Sequence, residues 1–99
     1  MATSHDRAAR RIAKRYRGRY RRMASPDVKW PGGRCEVKSN ASEIPQALRQ
    51  LGGVPADGYI ALPSSETKRG LKRLKGRKTG LMNYKGNIIK PSTRKKKKR

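Results

Sequence analysis

Pro26-Asp27-Val28-Lys29-Trp30-Pro31-Gly32-Gly33-Arg34-Cys35-Glu36-Val37-Lys38 is the stretch on which the fold turns. Gly32-Gly33 suits a two-residue hairpin loop, and a turn there makes Pro31 and Arg34 the first partners. Val28 then faces Val37, Trp30 faces Cys35, Lys29 faces Glu36 and Asp27 faces Lys38. Partners across an antiparallel pair share a face, and faces alternate along each strand. The expected hairpin therefore carries Val28, Trp30, Cys35 and Val37 on an apolar face. Asp27, Lys29, Glu36 and Lys38 gather on the other. A slip of one residue would mix the two sets. Two carboxylates and an ammonium on one face suit a hard divalent cation, because Mg²⁺ prefers oxygen donors and takes one or two protein carboxylates. The same face also reads as a solvated surface with two cross-strand ion pairs, Lys29–Glu36 and Asp27–Lys38.

Outward from the hairpin, apolar spacing predicts the remaining elements. Ser4 caps a first helix in which Ala9, Ile12, Ala13 and Tyr16 recur at helical spacing, and Asp6 favours its first turn. Gly18 ends it, and Arg19–Met23 is a short strand. Ser42 caps a second helix, with Pro45 in its first turn, Ile44, Leu48 and Leu51 on its buried stripe and Gly52-Gly53 as its stop. Tyr59-Ile60-Ala61-Leu62 is nearly all apolar and suits a central strand. A third helix over Glu66–Lys75 offers Leu71 and Leu74 to the core. Thr79–Asn83 and Asn87–Lys90 form a last hairpin through Tyr84-Lys85-Gly86. The expected fold is one α/β domain over residues 1–90 with a mixed central sheet and the order α-β-β-β-α-β-α-β-β. Residues 91–99 are a disordered polybasic tail.

Net charge is +22, and its distribution says more than its size. Residues 1–25 carry +8, residues 26–66 carry −1 and residues 67–99 carry +15. Five of the six acids lie in the central block that holds the hairpin. Basic flanks neutralise phosphates and release counterions, so nucleic acid is the expected partner. No stretch offers the apolar face of an interfacial helix or the length of a membrane span, so no membrane partner is expected. With 32% hydrophobic residues and no Phe, the core is small, and a homodimer interface or a bound polyanion would add stability. The lone Cys35 excludes an internal disulfide and suits a reducing interior, here the cytoplasm, in association with nucleoid or ribosome. One His and one Cys exclude a closed zinc site of the usual kind, and His5 is expected at the surface. Tyr20 and Tyr84 are the aromatics expected to be exposed for base stacking.

The PD dipeptide Pro26-Asp27, the ExK run Glu36-Val37-Lys38 and the element order around them resemble the PD-(D/E)xK nuclease superfamily, the restriction-endonuclease-like fold, over residues 4–90. In size and basic character the chain is most similar to small archaeal Holliday-junction-resolvase-like and archaeal viral nucleases. The resemblance implies a divalent-metal-dependent endonuclease with Asp27, Glu36 and Lys38 as catalytic residues. It implies Mg²⁺ or Mn²⁺ held by Asp27, Glu36 and the Val37 backbone carbonyl. Junction resolvases add a glutamate from the first helix, where this chain has the shorter Asp6. Some exonuclease branches use a glutamine on the next helix as a support for the ligands. Gln46 occupies that element, but Gln50 stands where those branches carry tyrosine. Arg7, Arg10, Arg11, Lys14 and Arg15 of the first helix are expected to grip phosphates. So are Lys68, Arg69, Lys72 and Arg73 of the third helix, and Lys95, Lys96, Lys97 and Lys98 of the tail. DNA, duplex or branched, ranks ahead of RNA as substrate, and cutting both strands calls for a symmetric dimer. The alternative is a non-catalytic, ribosome- or ribonucleoprotein-associated protein on the same fold, with Asp27 and Glu36 serving only as ion-pair partners.

Overall fold

The computed structural model describes residues 4–21, 27–51 and 57–92. The expected strand at Arg22 and Met23, the Gly52-Gly53 stop and the tail cations Lys95 to Lys98 lie outside them. In chain order the elements are α1 (Ser4–Arg15), β1 (Arg19–Tyr20), β2 (Val28–Trp30) and β3 (Gly33–Val37). A 3₁₀ turn (Ala41–Glu43) leads into α2 (Ile44–Leu51), and β4 (Asp57–Leu62), α3 (Ser64–Arg73), β5 (Gly80–Asn83) and β6 (Ile88–Lys90) follow. The six strands form one mixed sheet in the order β1-β2-β3-β4-β5-β6. β1, β2 and β3 are an antiparallel meander, β3, β4 and β5 run parallel, and β6 returns antiparallel. Both sheet edges are short strands, which limits edge-to-edge pairing.

The two parallel crossovers step the same way along the sheet. Right-handed connections of that kind place both helices on one face. Accordingly α2 and α3 share a core with β4 and β5, built from Ala41, Ile44, Ala47, Leu51, Ile60, Leu62, Leu74 and Leu81. The opposite face belongs to α1. Its Ala8, Ala9, Ile12 and Ala13 pack on Val28, Cys35, Val37, Ala61 and Met82, with Trp30 and Tyr16 at the margin. Burying Ile12 fully stabilises by roughly 1.5–3 kcal/mol. Tyr16 stacks on Trp30 with ring centroids 4.8 Å apart. The far end of α1 is tied to the β5–β6 turn: Tyr16 Oη donates to the Gly86 carbonyl (2.6 Å) and Arg15 Nη1 to Asn87 Oδ1 (2.5 Å).

Several local expectations need correction. The hairpin turns at Pro31-Gly32, not Gly32-Gly33, with Val28 opposite Cys35, Lys29 opposite Arg34 and Trp30 opposite Gly33. Pro31 supplies a preset φ, Gly32 takes φ +88°, and this is the chemistry of a type II turn. Gly33 is needed as a strand residue because the Trp30 indole covers it: a β-carbon there would lie 2.4 Å from the ring. α1 includes Ser4 instead of starting after it, and the left-handed residue at its end is Arg17 (φ 56°), not Gly18. Gly18 donates back to the Ala13 carbonyl (2.7 Å), a Schellman closure, while the β2 backbone leaves no room for a side chain at residue 18. Asn40, not Ser42, caps the next element, its side chain accepting from Ser42 N–H. In α3, which begins at Ser64, Gly70 and Leu74 are buried and Leu71 is exposed. The helix approaches β4 so closely that a β-carbon on Gly70 would sit 2.5 Å from Leu62 Cδ1.

Candidate active site

The turn correction moves the hairpin register by two residues. An even shift leaves every side chain on its expected face but changes its partner. Continuing the observed register sets Asp27 opposite Glu36 in place of Lys38. The backbone then ties the acids together. Asp27 N–H donates to Glu36 Oε1 (2.9 Å), and Val37 N–H donates to Asp27 Oδ2 (2.9 Å). Neither cross-strand ion pair of the solvated-face reading forms among the described residues, and both acids are buried, Asp27 at 7% and Glu36 at 2% exposure. Burial at this level is unusual for a carboxylate whose only role is a surface ion pair.

Glu36 owes its position to β3, which lies between β2 and β4 in the sheet interior. Burial pushes its carboxyl up from the ordinary 4.5 to about 6, and neighbouring Asp27 adds to the rise. The Asp27 N–H, the Lys38 ammonium and His5 pull the other way without cancelling it. Lys38 Nζ lies 3.7 Å from Glu36 Oε2. Its backbone is fixed on both sides: Lys38 N–H donates to the Ala61 carbonyl (3.0 Å), and Tyr84 Oη donates to the Lys38 carbonyl (2.7 Å). Cys35, on the α1 face beside them, is fully buried, and burial holds its thiol well above the ordinary range and therefore protonated.

His5 is the residue that sequence reasoning missed. Its Nε2 lies 3.1 Å from Asp27 Oδ2, and a carboxylate acceptor makes that nitrogen the donor. Its Nδ1 lies 3.9 Å from Asp6 Oδ1, and Asp6 also accepts the Tyr20 hydroxyl. The imidazole thus stands between Asp6 and Asp27. Tyr20 and Tyr84 are half-buried and use their hydroxyls internally, so neither is the exposed stacking ring that was expected. Gln46 is exposed on α2 and makes no hydrogen bond to Asp27, Glu36 or Lys38 among the described residues.

A cleft of about 300 Å³ opens beside Asp27, lined by Arg19, Arg21, Asp27 and Lys29. Of these cations, the sequence places only Lys29 on the polar face, as an expected partner of Glu36; the register adds Arg19 and Arg21 to that face. The expected phosphate-gripping residues are placed elsewhere. Arg7, Arg10, Arg11 and Lys14 are exposed on α1, across the sheet from the α2 and α3 layer that carries exposed Lys68, Arg69, Lys72 and Arg73. Arg15 is committed to the β5–β6 turn, donating to the Lys85 carbonyl and to Asn87. Arg69 lies 3.5 Å from Glu66.

Among the described residues no group of three or more His, Cys, Asp and Glu side chains is arranged to hold a metal, and no helix is long and apolar enough to cross a membrane. The donors at hand are two hard carboxylates, a number that suits Mg²⁺ or Mn²⁺ and not a closed zinc cage. Compared with known proteins, the chain matches no family model, no curated protein and no solved structure.

Proposed function

We propose that this chain is a divalent-metal-dependent nuclease of restriction-endonuclease-like fold, acting on nucleic acid and on DNA ahead of RNA. The observation that carries the reading is the buried pair Asp27–Glu36, cross-tied through the hairpin backbone, with Lys38 at 3.7 Å and a cationic cleft in front. The order of one helix, a three-strand meander and a helix crossover to a parallel strand supports it, since the PD and ExK elements fall on adjacent meander strands. The pair sits where β3 ends, and in parallel sheets the carboxyl ends of strands are the usual place for ligands.

Asp27 and Glu36 would hold the ion, with the Val37 carbonyl as a third protein oxygen. A bound Mg²⁺ or Mn²⁺ supplies a water of lowered pKa and neutralises charge on the phosphate. The chain's own residues do the rest. His5 and the Val37 N–H orient Asp27 through Oδ2. The Asp27 N–H fixes Glu36 through Oε1 in the same way. The Lys38 ammonium lies where it can stabilise negative charge developing beside Glu36. Arg19, Arg21 and Lys29 draw the phosphate backbone to the acids and offset their repulsion for it.

The test is cleavage of a substrate panel of duplex, four-way junction, single-stranded DNA and RNA, with and without Mg²⁺ or Mn²⁺. Cleavage that needs the metal and disappears in Asp27→Asn, with binding retained, is the expected result. The second reading, a non-catalytic ribonucleoprotein component, is favoured by the cations exposed on both outer layers. It predicts no metal binding at Asp27 and stable co-sedimentation with ribosomes.

A further inference from the structure

We propose that Arg19, Lys29 and Arg34 form a phosphate subsite that holds a single nucleic-acid strand beside the acid pair. Strand register carries the inference. Arg19 pairs with Lys29, and Lys29 pairs with Arg34, so three cations stand side by side on neighbouring strands. Pairing partners share a face, and this is the face away from α1, since Tyr20, Val28 and Cys35 point toward that helix. Asp27 and Glu36 make the next row on the same face, two residues along each strand and therefore ~6.5 Å away. Arg21 extends the acid row onto β1, its N–H donating to the Asp27 carbonyl (3.0 Å).

Like charges set directly opposite each other in a sheet repel. Here three do so, and none of the three forms an ion pair among the described residues. Arg34 also buries its Nε without a hydrogen-bond partner. A polyanion in the cleft, which Arg19 and Lys29 line, would offset the repulsion within the row. On the inner side the row stops at Gly58 of β4, the partner of Arg34, where Leu51 of α2 lies 3.6 Å from the position of an added β-carbon. From β1 to β3 it therefore spans two strand spacings, ~9.5 Å, room for one sugar–phosphate backbone. A strand laid across it puts one phosphate on the cations and a neighbouring one at the acids. The inference rests on the nuclease reading only in naming the acid row as the place of cleavage.

The experiment is fluorescence anisotropy of a short labelled single strand and of its duplex, in EDTA so that nothing is cut. Arg19→Ala/Lys29→Ala is compared with Lys72→Ala/Arg73→Ala, an equal loss of exposed charge on α3. All four side chains are exposed, and matching circular-dichroism melts establish that both variants are folded. The expected result is about a tenfold loss of single-strand affinity in the first variant, with a log K against log salt slope shallower by about 1.4, and a smaller loss in the second. Equal losses in the two variants, or a loss confined to duplex, overturn the subsite. Displacement by tripolyphosphate as effective as by an unlabelled strand of equal phosphate content would mark a site for free polyphosphate and also overturn it. Row-dependent binding without metal-dependent cleavage leaves the subsite standing and removes the nuclease reading. The reverse outcome does the opposite.

Discussion

Replacing Glu36 by Gln exchanges a buried carboxyl for an amide of nearly the same shape. The Glu36 pKa of about 6, against an ordinary 4.5, means that the folded protein holds this proton more tightly than the unfolded chain does. Below 4.5 both states are protonated and burial carries no ionic penalty. Between 4.5 and 6 the unfolded chain releases the proton first, so stability falls as pH rises, and the full penalty is present above about 6. At 1.36 kcal/mol per unit the penalty is about 2 kcal/mol at most. That penalty is already net of the Lys38 attraction and the Asp27 N–H bond. Gln keeps an acceptor for the N–H but turns an amide NH2 toward the Lys38 ammonium, a cost of about 1 kcal/mol, which leaves a net gain of about 1 kcal/mol. Glu36→Gln should therefore raise Tm by about 4–8 °C near pH 8 and change it little near pH 4. Thermal melts across that range read the difference directly. In parallel, Mg²⁺ should raise the Tm of the wild type near pH 8 and leave the variant unmoved. A variant that is less stable than wild type near pH 8, or whose difference from it is the same at both ends, refutes the account of Glu36 as a destabilising buried charge.

The same proton competes with metal: Mn²⁺ affinity, read by calorimetry, should be flat above about pH 7 and fall about tenfold per unit below pH 6, as Glu36 protonates. His5→Ala should weaken Mn²⁺ binding several-fold at a stability loss of only about 1 kcal/mol, because it removes one donor that orients Asp27; unchanged affinity would make the imidazole a bystander. Arg17→Gly relieves a left-handed residue and should stabilise by about 1 kcal/mol in urea melts. Gly70→Ala should destabilise by about 1–3 kcal/mol, since Leu62 or the whole of α3 must move.

Element order was legible because hydrophobic spacing is a local property, and every helix and strand in the described residues falls near its expected position. Register was only half legible. Trp30-Pro31-Gly32-Gly33 holds two acceptable turns, and the Pro31-Gly32 type II turn prevails over the diglycine, with Gly33 left as the strand residue that the Trp30 indole covers. The faces survived because the error was an even number of residues; the ion pairs inferred from it did not. In α3, counting apolar residues selected Leu71, whereas the helix touches the sheet through Gly70, whose small size is the reason for the contact. His5 gave no sign of a role because its partner Asp27 lies 22 residues away and meets it only after α1 docks. The one available clue was that His5 shares the first turn of α1 with Asp6, the acid already under suspicion. Arg19 and Arg21 were hidden differently: in a chain of 28 basic residues, only the face they share with Lys29 distinguishes them.

Trp30 is the sole tryptophan, and it joins the hairpin turn to the first helix through its stack on Tyr16. Its emission is therefore a built-in optical gauge of helix seating that needs no dye. Any detachment of α1 would withdraw His5 from Asp27 and unstack the indole in one motion, so a change in that signal on adding an ion or oligonucleotide reports the helix directly.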